Sequence, residues 1–155
     1  MGRADPADTR RRVTLESADS RLGFLVCVVF VIERDGHVLL LQRSAAKDHA
    51  PGEWESGSGG IVAGETPQAA VVREAREETG LDVEIVDVID AFHFYRGAER
   101  RETIGISFHC RSRSGEVRLS DEHQAARWVS LAELEAGPYP EWLQRAARRV
   151  GRGLD

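Results

Sequence analysis

One stretch limits what this chain can fold into more than any other: residues 66–80, Thr-Pro-Gln-Ala-Ala-Val-Val-Arg-Glu-Ala-Arg-Glu-Glu-Thr-Gly. Pro is tolerated at a first helical position, where its missing N–H would be unpaired anyway, and Gly is common just past a helix end. The two residues therefore predict a helix from Thr66-Pro67 to Gly80. Val71, Val72 and Ala75 form the arc expected to seat it on a sheet. Glu74, Glu77 and Glu78 stand at i, i+3 and i+4, which puts all three carboxylates on one face. Like charges so spaced cost about 0.2–0.5 kcal/mol per pair. The dipole at the Gly80 end disfavours anions by about 0.3–1 kcal/mol more. A solvated charged face, relieved by Arg73 four residues before Glu77, is the plain reading. The segment upstream, Gly57-Ser58-Gly59-Gly60 followed by Gly64-Glu65, points elsewhere. Glycines let backbone groups approach an ion or a phosphate closely, and clustered hard oxygen ligands suit Mg²⁺ or Mn²⁺.

Around this helix the pattern is mixed. Phe24–Ile32 and His37–Leu41 read as strands, and Asp35-Gly36 between them is the dipeptide a two-residue hairpin favours. Residues 44–60 turn to Gly, Ser, Pro and charge, which predicts a long loop. Val83–Tyr95 and Thr103–Cys110 read as a second strand pair, joined by a basic loop with Arg96, Arg100 and Arg101. Arg127–Val129 reads as a short strand and Leu131–Ala136 as a helical turn. Tyr139-Pro140 leads into a last helix whose Arg145, Arg148 and Arg149 make a solvated face. Strands before and after a central helix, with another helix at the end, give a mixed α/β domain: a sheet between helices. Residues 1–21 hold four acids and five arginines with no apolar period, so they are expected to form a flexible N-terminal arm. The domain itself is expected over 22–150, with 151–155 as a C-terminal tail.

Composition narrows the function classes. The 155 residues carry 21 Lys and Arg against 26 Asp and Glu, a formal charge of −5. With no long basic block, that balance argues against a duplex nucleic-acid binder, which needs a clustered positive footprint. Cys27 and Cys110 lie inside apolar, strand-like runs and read as buried reduced thiols rather than a disulfide frame. The longest apolar run, Phe24–Ile32, is too short for a membrane span of about 20 residues. It runs into Glu33-Arg34-Asp35 with no small-residue cleavage site, so a cytoplasmic protein is expected.

At Gly59, Glu65 and Arg73-Glu74-Ala75-Arg76-Glu77-Glu78-Thr79-Gly80-Leu81 the chain resembles the Nudix box of the Nudix hydrolases. Seven fixed residue types at usage of about 7% each match by chance at a given start on the order of 10⁻⁸ of the time. Weaker likeness extends over residues 22–136, through Leu39-Leu40-Leu41-Gln42-Arg43, Trp54, Glu122 and Trp128-Val129-Ser130-Leu131. The chain departs from the pattern at Ala75, usually a bulkier aliphatic. It departs again at Ser56-Gly57-Ser58, usually Leu-Pro-Gly, and at Val62, often Glu.

The resemblance implies an α/β/α sandwich with a mixed sheet and a divalent-metal-dependent pyrophosphohydrolase acting on a nucleoside diphosphate linked to another moiety. Its substrates would be nucleoside triphosphates, nucleotide sugars or dinucleoside polyphosphates. Carried over by position, Glu74, Glu77 and Glu78 would hold Mg²⁺ or Mn²⁺ with the Gly59 carbonyl, and Glu65 and Arg73 would form a supporting pair. The proton of the attacking water would pass to Glu74, Glu77 or Glu122, three alternatives that stay open here. Arg43, Arg96 and Arg101 are candidates for gripping a distal phosphate, although surface arginine is the commoner fate. The implied partner is a small nucleotide-type substrate, and a homodimer is an assembly common in the family.

Other features carry less. Alternation makes one of Phe94 and Tyr95 core and the other exposed, Trp54 and Trp128 read as core, and the five histidines show no zinc-ligand spacing. Two readings compete with the hydrolase. An isopentenyl-diphosphate isomerase shares the Nudix fold but relies on a cysteine and histidines not matched here. A non-catalytic ligand sensor usually carries a DNA-binding domain, for which 155 residues leave no room, and gains nothing from an intact acidic cluster.

Overall fold

Asp35 and Gly36 both take left-handed backbone, φ 50° and 73°, the conformation of a tight two-residue hairpin. They join β1 (Leu25–Arg34) to β2 (His37–Arg43) through Glu33↔Val38 and Arg34↔His37. This computed structural model describes residues 23–47 and 50–153, so the arm expected at 1–21 lies outside it. Beyond those two pairs β1 and β2 part, and the chain fills the gap with its own later residues. β3 (Trp54–Glu55) pairs with β2, and β4 (Gly57–Gly60) pairs with β1 from Phe30↔Gly57 to Cys27↔Gly60. The expectation of an uninterrupted loop over 44–60 is therefore corrected. A Gly-Ser-Gly-Gly run has almost no strand propensity of its own; what makes it a strand is the unpaired edge that β1 offers it.

On its other edge β1 meets β6 (Arg101–Arg111) in parallel, from Leu25↔Thr103 to Glu33↔Arg111. β5 (Glu84–Arg96) lies antiparallel on β6, so the sheet runs β3-β2-β1-β6-β5. β7 (His123–Ser130) pairs antiparallel with β2 and is longer than the three residues expected. Its first half, His-Gln-Ala-Ala, is too polar and too small to read as strand without its partner.

Helix α1 (Pro67–Thr79) covers one face of this mixed sheet, seating Ala70, Val71 and Ala75 over Val28, Phe30, Ile32, Leu39, Leu41 and Phe108. Helices α2 (Leu131–Ala136) and α3 (Glu141–Arg152) cover the other, packing Leu134, Leu143, Ala147 and Val150 on Val31, Val38, Leu40 and Val129. The result is the α/β/α sandwich expected. Val72 is a correction: it is 38% exposed. The buried arc of α1 is completed by Glu78 and Thr79 instead, which puts a carboxylate where an anchoring valine was expected. α3 continues through Arg152, two residues into the stretch assigned to the tail. Cys27 and Cys110 are free and buried. Among the described residues no helix is long and apolar enough to cross a membrane.

Candidate active site

The caps of α1 set the position of its acids. The Thr66 hydroxyl accepts the Ala69 N–H at 3.1 Å, closing the first turn. Gly80, at φ 70°, ends the helix in the left-handed region and donates to the Arg76 carbonyl at 2.8 Å. The last carbonyls do not face the acids unpaired: Thr79 O takes the Arg118 N–H (2.7 Å) and Glu78 O the Ser120 N–H (3.3 Å). The loop before β7 thus offsets the negative end of the helix next to the carboxylates.

At about 100° per residue, Glu77 and Glu78 lie some 100° apart around the axis, either side of Glu74. The shared face is therefore not evenly solvated. The Glu77 side chain is 58% exposed, Glu74 14% and Glu78 only 5%. Two glycines of β4 make room for the buried pair. A Cβ on Gly59 would overlap the Glu74 carboxyl, and one on Gly57 would overlap the Phe30 ring and the Glu78 carboxylate. The acids lie directly against the β4 backbone, an approach that only glycine permits.

Arg73 ties this arrangement together. Its Nε and Nη2 donate to the two Glu65 oxygens at 2.8 and 2.9 Å, and Nη2 also donates to Gly60 O at 3.0 Å. Its Nη1 donates to Glu74 (2.7 Å) and Glu77 (3.2 Å). Glu65 accepts the Val62 N–H as well, at 3.2 Å. The Arg73 hydrogen bonds hold the Glu65 carboxyl below the usual carboxylate range, and the same bonds hold Arg73 further above its own. Glu78 is the opposite case. Burial pushes its carboxyl up to about 9, and the nearby charges of Glu122, Glu74 and Glu55 add to the effect.

The Glu78 Oε2 atom is buried without a hydrogen-bond partner. The carboxyl has the Ser58 backbone N–H as a donor, but an Oε2 buried without one beside other carboxylates is short of positive charge. The charges acting on it are those of other carboxylates, Glu122, Glu74 and Glu55, and such hard oxygen groups suit a divalent cation such as Mg²⁺ or Mn²⁺. Among the described residues no three His, Cys, Asp or Glu side chains are grouped to hold a metal ion by themselves, and Arg73 lies between Glu74 and Glu77. An open set, completed by a backbone carbonyl, water and phosphate oxygens, is the kind Mg²⁺ takes.

Glu122 lies just before β7, about half exposed, with Lys47 Nζ 3.1 Å from its carboxylate and its charge acting on Glu78. The candidate arginines are not gathered with the acids. Arg43 is half-buried and bonds Glu55 at 3.0 Å. Arg96 and Arg101 face each other, exposed, at the β5–β6 tip. From the pairs Cys27↔Gly60 and Leu25↔Thr103, this tip lies at the Gly60 end of β1. The distance from Cys27 along the strand is about 13 Å at 3.3 Å per residue. Tyr95 is exposed under the Arg100 guanidinium, 4.6 Å from its ring centre, while Phe94 is half-buried. Trp54 and Trp128 are half-buried rather than core, each under an arginine, Arg127 at 4.4 Å and Arg34 at 4.7 Å.

Two side chains, His123 and Glu55, do not stand out in the sequence. His123 is buried at the start of β7, its Nε2 3.2 Å from Glu55 Oε1 and its Nδ1 3.9 Å from Glu78 Oε2. Neither residue belongs to a spaced motif. The available sign was that His123 directly follows Glu122.

Comparison with known proteins places the chain in a family. A model of the NUDIX domain matches residues 23–150. The chain is 32% identical over 113 residues to Nudix hydrolase 5 of Arabidopsis thaliana, a match covering 71% of this chain and 37% of that longer protein. It is 35% identical over 111 residues to the CTP pyrophosphohydrolase of Escherichia coli (strain K12), covering 68% of this chain and 76% of the relative. The crystal structure of the MutT protein from Methanosarcina mazei Go1 superimposes with a TM-score of 0.70 at 26% identity, covering 87% of this chain and 98% of that one.

Proposed function

The chain belongs to the Nudix hydrolase family, and from that premise we propose that it cleaves a nucleoside diphosphate linked to another moiety, using a divalent cation and water. Nucleoside triphosphates are the first substrates to consider, because the E. coli relative of which the chain covers 76% is a CTP pyrophosphohydrolase. One observation supports the reading above all: Glu74 and Glu78 are pressed onto the backbone of Gly57–Gly59, and Glu78 keeps a buried oxygen without a partner.

Glu74 and Glu78, with the Gly59 carbonyl and Glu77, would hold the cation. When bound, it would neutralise phosphate charge and acidify a water. Arg73 keeps five oxygen acceptors in fixed relation, so the carboxylates it binds do not spread under mutual repulsion. Glu77 and Glu122, the acids left exposed, are best placed to accept the proton of an attacking water. The carboxylate would keep that proton while the water oxygen bonds to phosphorus and the P–O bond to the leaving phosphate breaks, its electron pair going to the leaving oxygen. Arg96 and Arg101, displaced along β1 from the acids, suit a distal part of the substrate rather than the reacting phosphorus. An isomerase would need an accessible cysteine, and both thiols here are buried, Cys110 raised to about 12.

The test is a phosphate-release screen with Mg²⁺ across nucleoside triphosphates, nucleotide sugars including ADP-ribose, and dinucleoside polyphosphates, with Glu77→Gln as blank. Turnover that requires the cation and falls by orders of magnitude in the blank is expected. Equal turnover in both proteins, or turnover unaffected by EDTA, would overturn the assignment.

A further inference from the structure

Strand β7 does not keep a regular register with β2. Leu41 faces Ala126 and Gln42 faces Ala125, but Arg43 faces His123, so Gln124 is an extra, unpaired residue. A bulge of this kind turns every side chain beyond it to the other face of the sheet. In regular pairing His123, three residues from Ala126, would lie on the face that α2 and α3 cover. With the bulge it shares the face of Leu41 and Ala126, which α1 covers. The ring is buried there, with 3% of its side chain exposed, between Glu55 Oε1 at 3.2 Å and Glu78 Oε2 at 3.9 Å. Glu55 also accepts from Arg43 Nη1 at 3.0 Å. Arg43, Glu55 and His123 thus form a chain, contributed by β2, β3 and β7, that ends on Glu78. His123 Nδ1 and Glu78 Oε2 face each other, and neither has a hydrogen-bond partner. Buried polar atoms are nearly always bonded, and the exceptions call for an explanation in use.

We propose that His123 is a positioning residue: with its ring oriented by Glu55, its Nδ1 edge packs 3.9 Å from Oε2 and confines the Glu78 carboxylate to the attitude that presents it to a divalent cation. The inference rests on the function proposed above. Carboxylates that ligate metals are themselves held by outer partners, whose loss weakens metal affinity about 10–100-fold. Here the bulge supplies that partner by bringing in a residue that regular pairing would send to the opposite face.

The experiment titrates Mn²⁺ into the full chain, with free Mn²⁺ read by electron paramagnetic resonance, and records melting in EDTA beside it. His123→Ala and Glu55→Ala are each expected to weaken Mn²⁺ binding about tenfold or more. Glu55→Gln keeps an acceptor for Nε2 while removing the charge, and it is expected to recover most of that loss. His123→Asn keeps a polar atom near the place of Nδ1, falls between, and stands in if the alanine variant does not fold. A merely structural histidine would lower the EDTA melting temperature and leave the affinity of the folded protein unchanged. Binding within about threefold of the parent in the His123 variants, with Glu78→Gln still losing it, would overturn the role of His123 alone. Glu55→Gln as weak as Glu55→Ala would do the same, since charge rather than orientation would then matter. Mn²⁺ binding retained in Glu78→Gln would overturn the metal reading beneath it.

Discussion

Glu78→Gln should make the cation-free protein less sensitive to alkali, and the size of the effect follows from where the carboxyl sits. Burial, with Glu122, Glu74 and Glu55 close by, raises Glu78 from 4.5 to about 9 in the folded chain. Between those values the folded chain holds a proton that the unfolded chain releases. The contribution of this group to stability is therefore fully present below pH 4.5 and is lost as pH rises toward 9, by about 1.4 kcal/mol per pH unit. By pH 7 the accumulated loss is about 3 kcal/mol, which for a chain of this length is a melting shift of about 6–12 °C. Glutamine has no proton to lose. Its buried amide carries its own cost of about 1–3 kcal/mol, but that cost does not change with pH. The measurement is urea or thermal unfolding of both proteins in EDTA from pH 5 to pH 8, and the stability of the parent relative to the variant should fall by about 4 kcal/mol over that range. Added Mg²⁺ should reverse the order at pH 8, stabilising the parent and not the variant. A difference between the two proteins that stays constant with pH would refute the reasoning.

Two further outcomes test the parts around Glu78. Arg73→Lys keeps the charge but not the fork that reaches Glu65, Glu74, Glu77 and Gly60 O. It should cut kcat/KM about 10–100-fold in steady-state assays, and a value within about twofold of the parent would show that charge alone suffices. Gly59→Ala places a methyl group where the Glu74 carboxyl lies. The carboxyl must swing away, so Mn²⁺ affinity in a titration should drop about tenfold with little change in melting temperature; unchanged affinity would remove Glu74 from the ligand set.

What could be read from the sequence, and what could not, divides by range. Thr66, Pro67 and Gly80 act within one helix, and Asp35-Gly36 within one hairpin, so short-range chemistry is enough to place them. The resemblance at Gly59–Leu81 is local in the same way. Residues 54–60 could not be read as strands, because their pairing depends on β1 and β2 parting and leaving edges to fill. The unequal depth of Glu74, Glu77 and Glu78 is likewise set by which arc of α1 the sheet receives, and Val72 loses its expected place for the same reason. His123 was hidden by the extra residue Gln124: period-two alternation back from Trp128 and Ala126 puts His123 on the wrong face. Arg43, read as a phosphate grip, is engaged with Glu55, a contact that depends on β2 and β3 meeting across 12 residues of sequence.

The central claim is that the acids of α1 and the glycines of β4 together form a seat for a divalent cation. Crystals soaked in Mn²⁺ and measured at its absorption edge address this directly. Anomalous density is expected with carboxylate oxygens of Glu74 and Glu78 and the Gly59 carbonyl about 2.0–2.3 Å away. Glu74 still held by Arg73, with no such density beside it or Glu78 at saturating Mn²⁺, would contradict it.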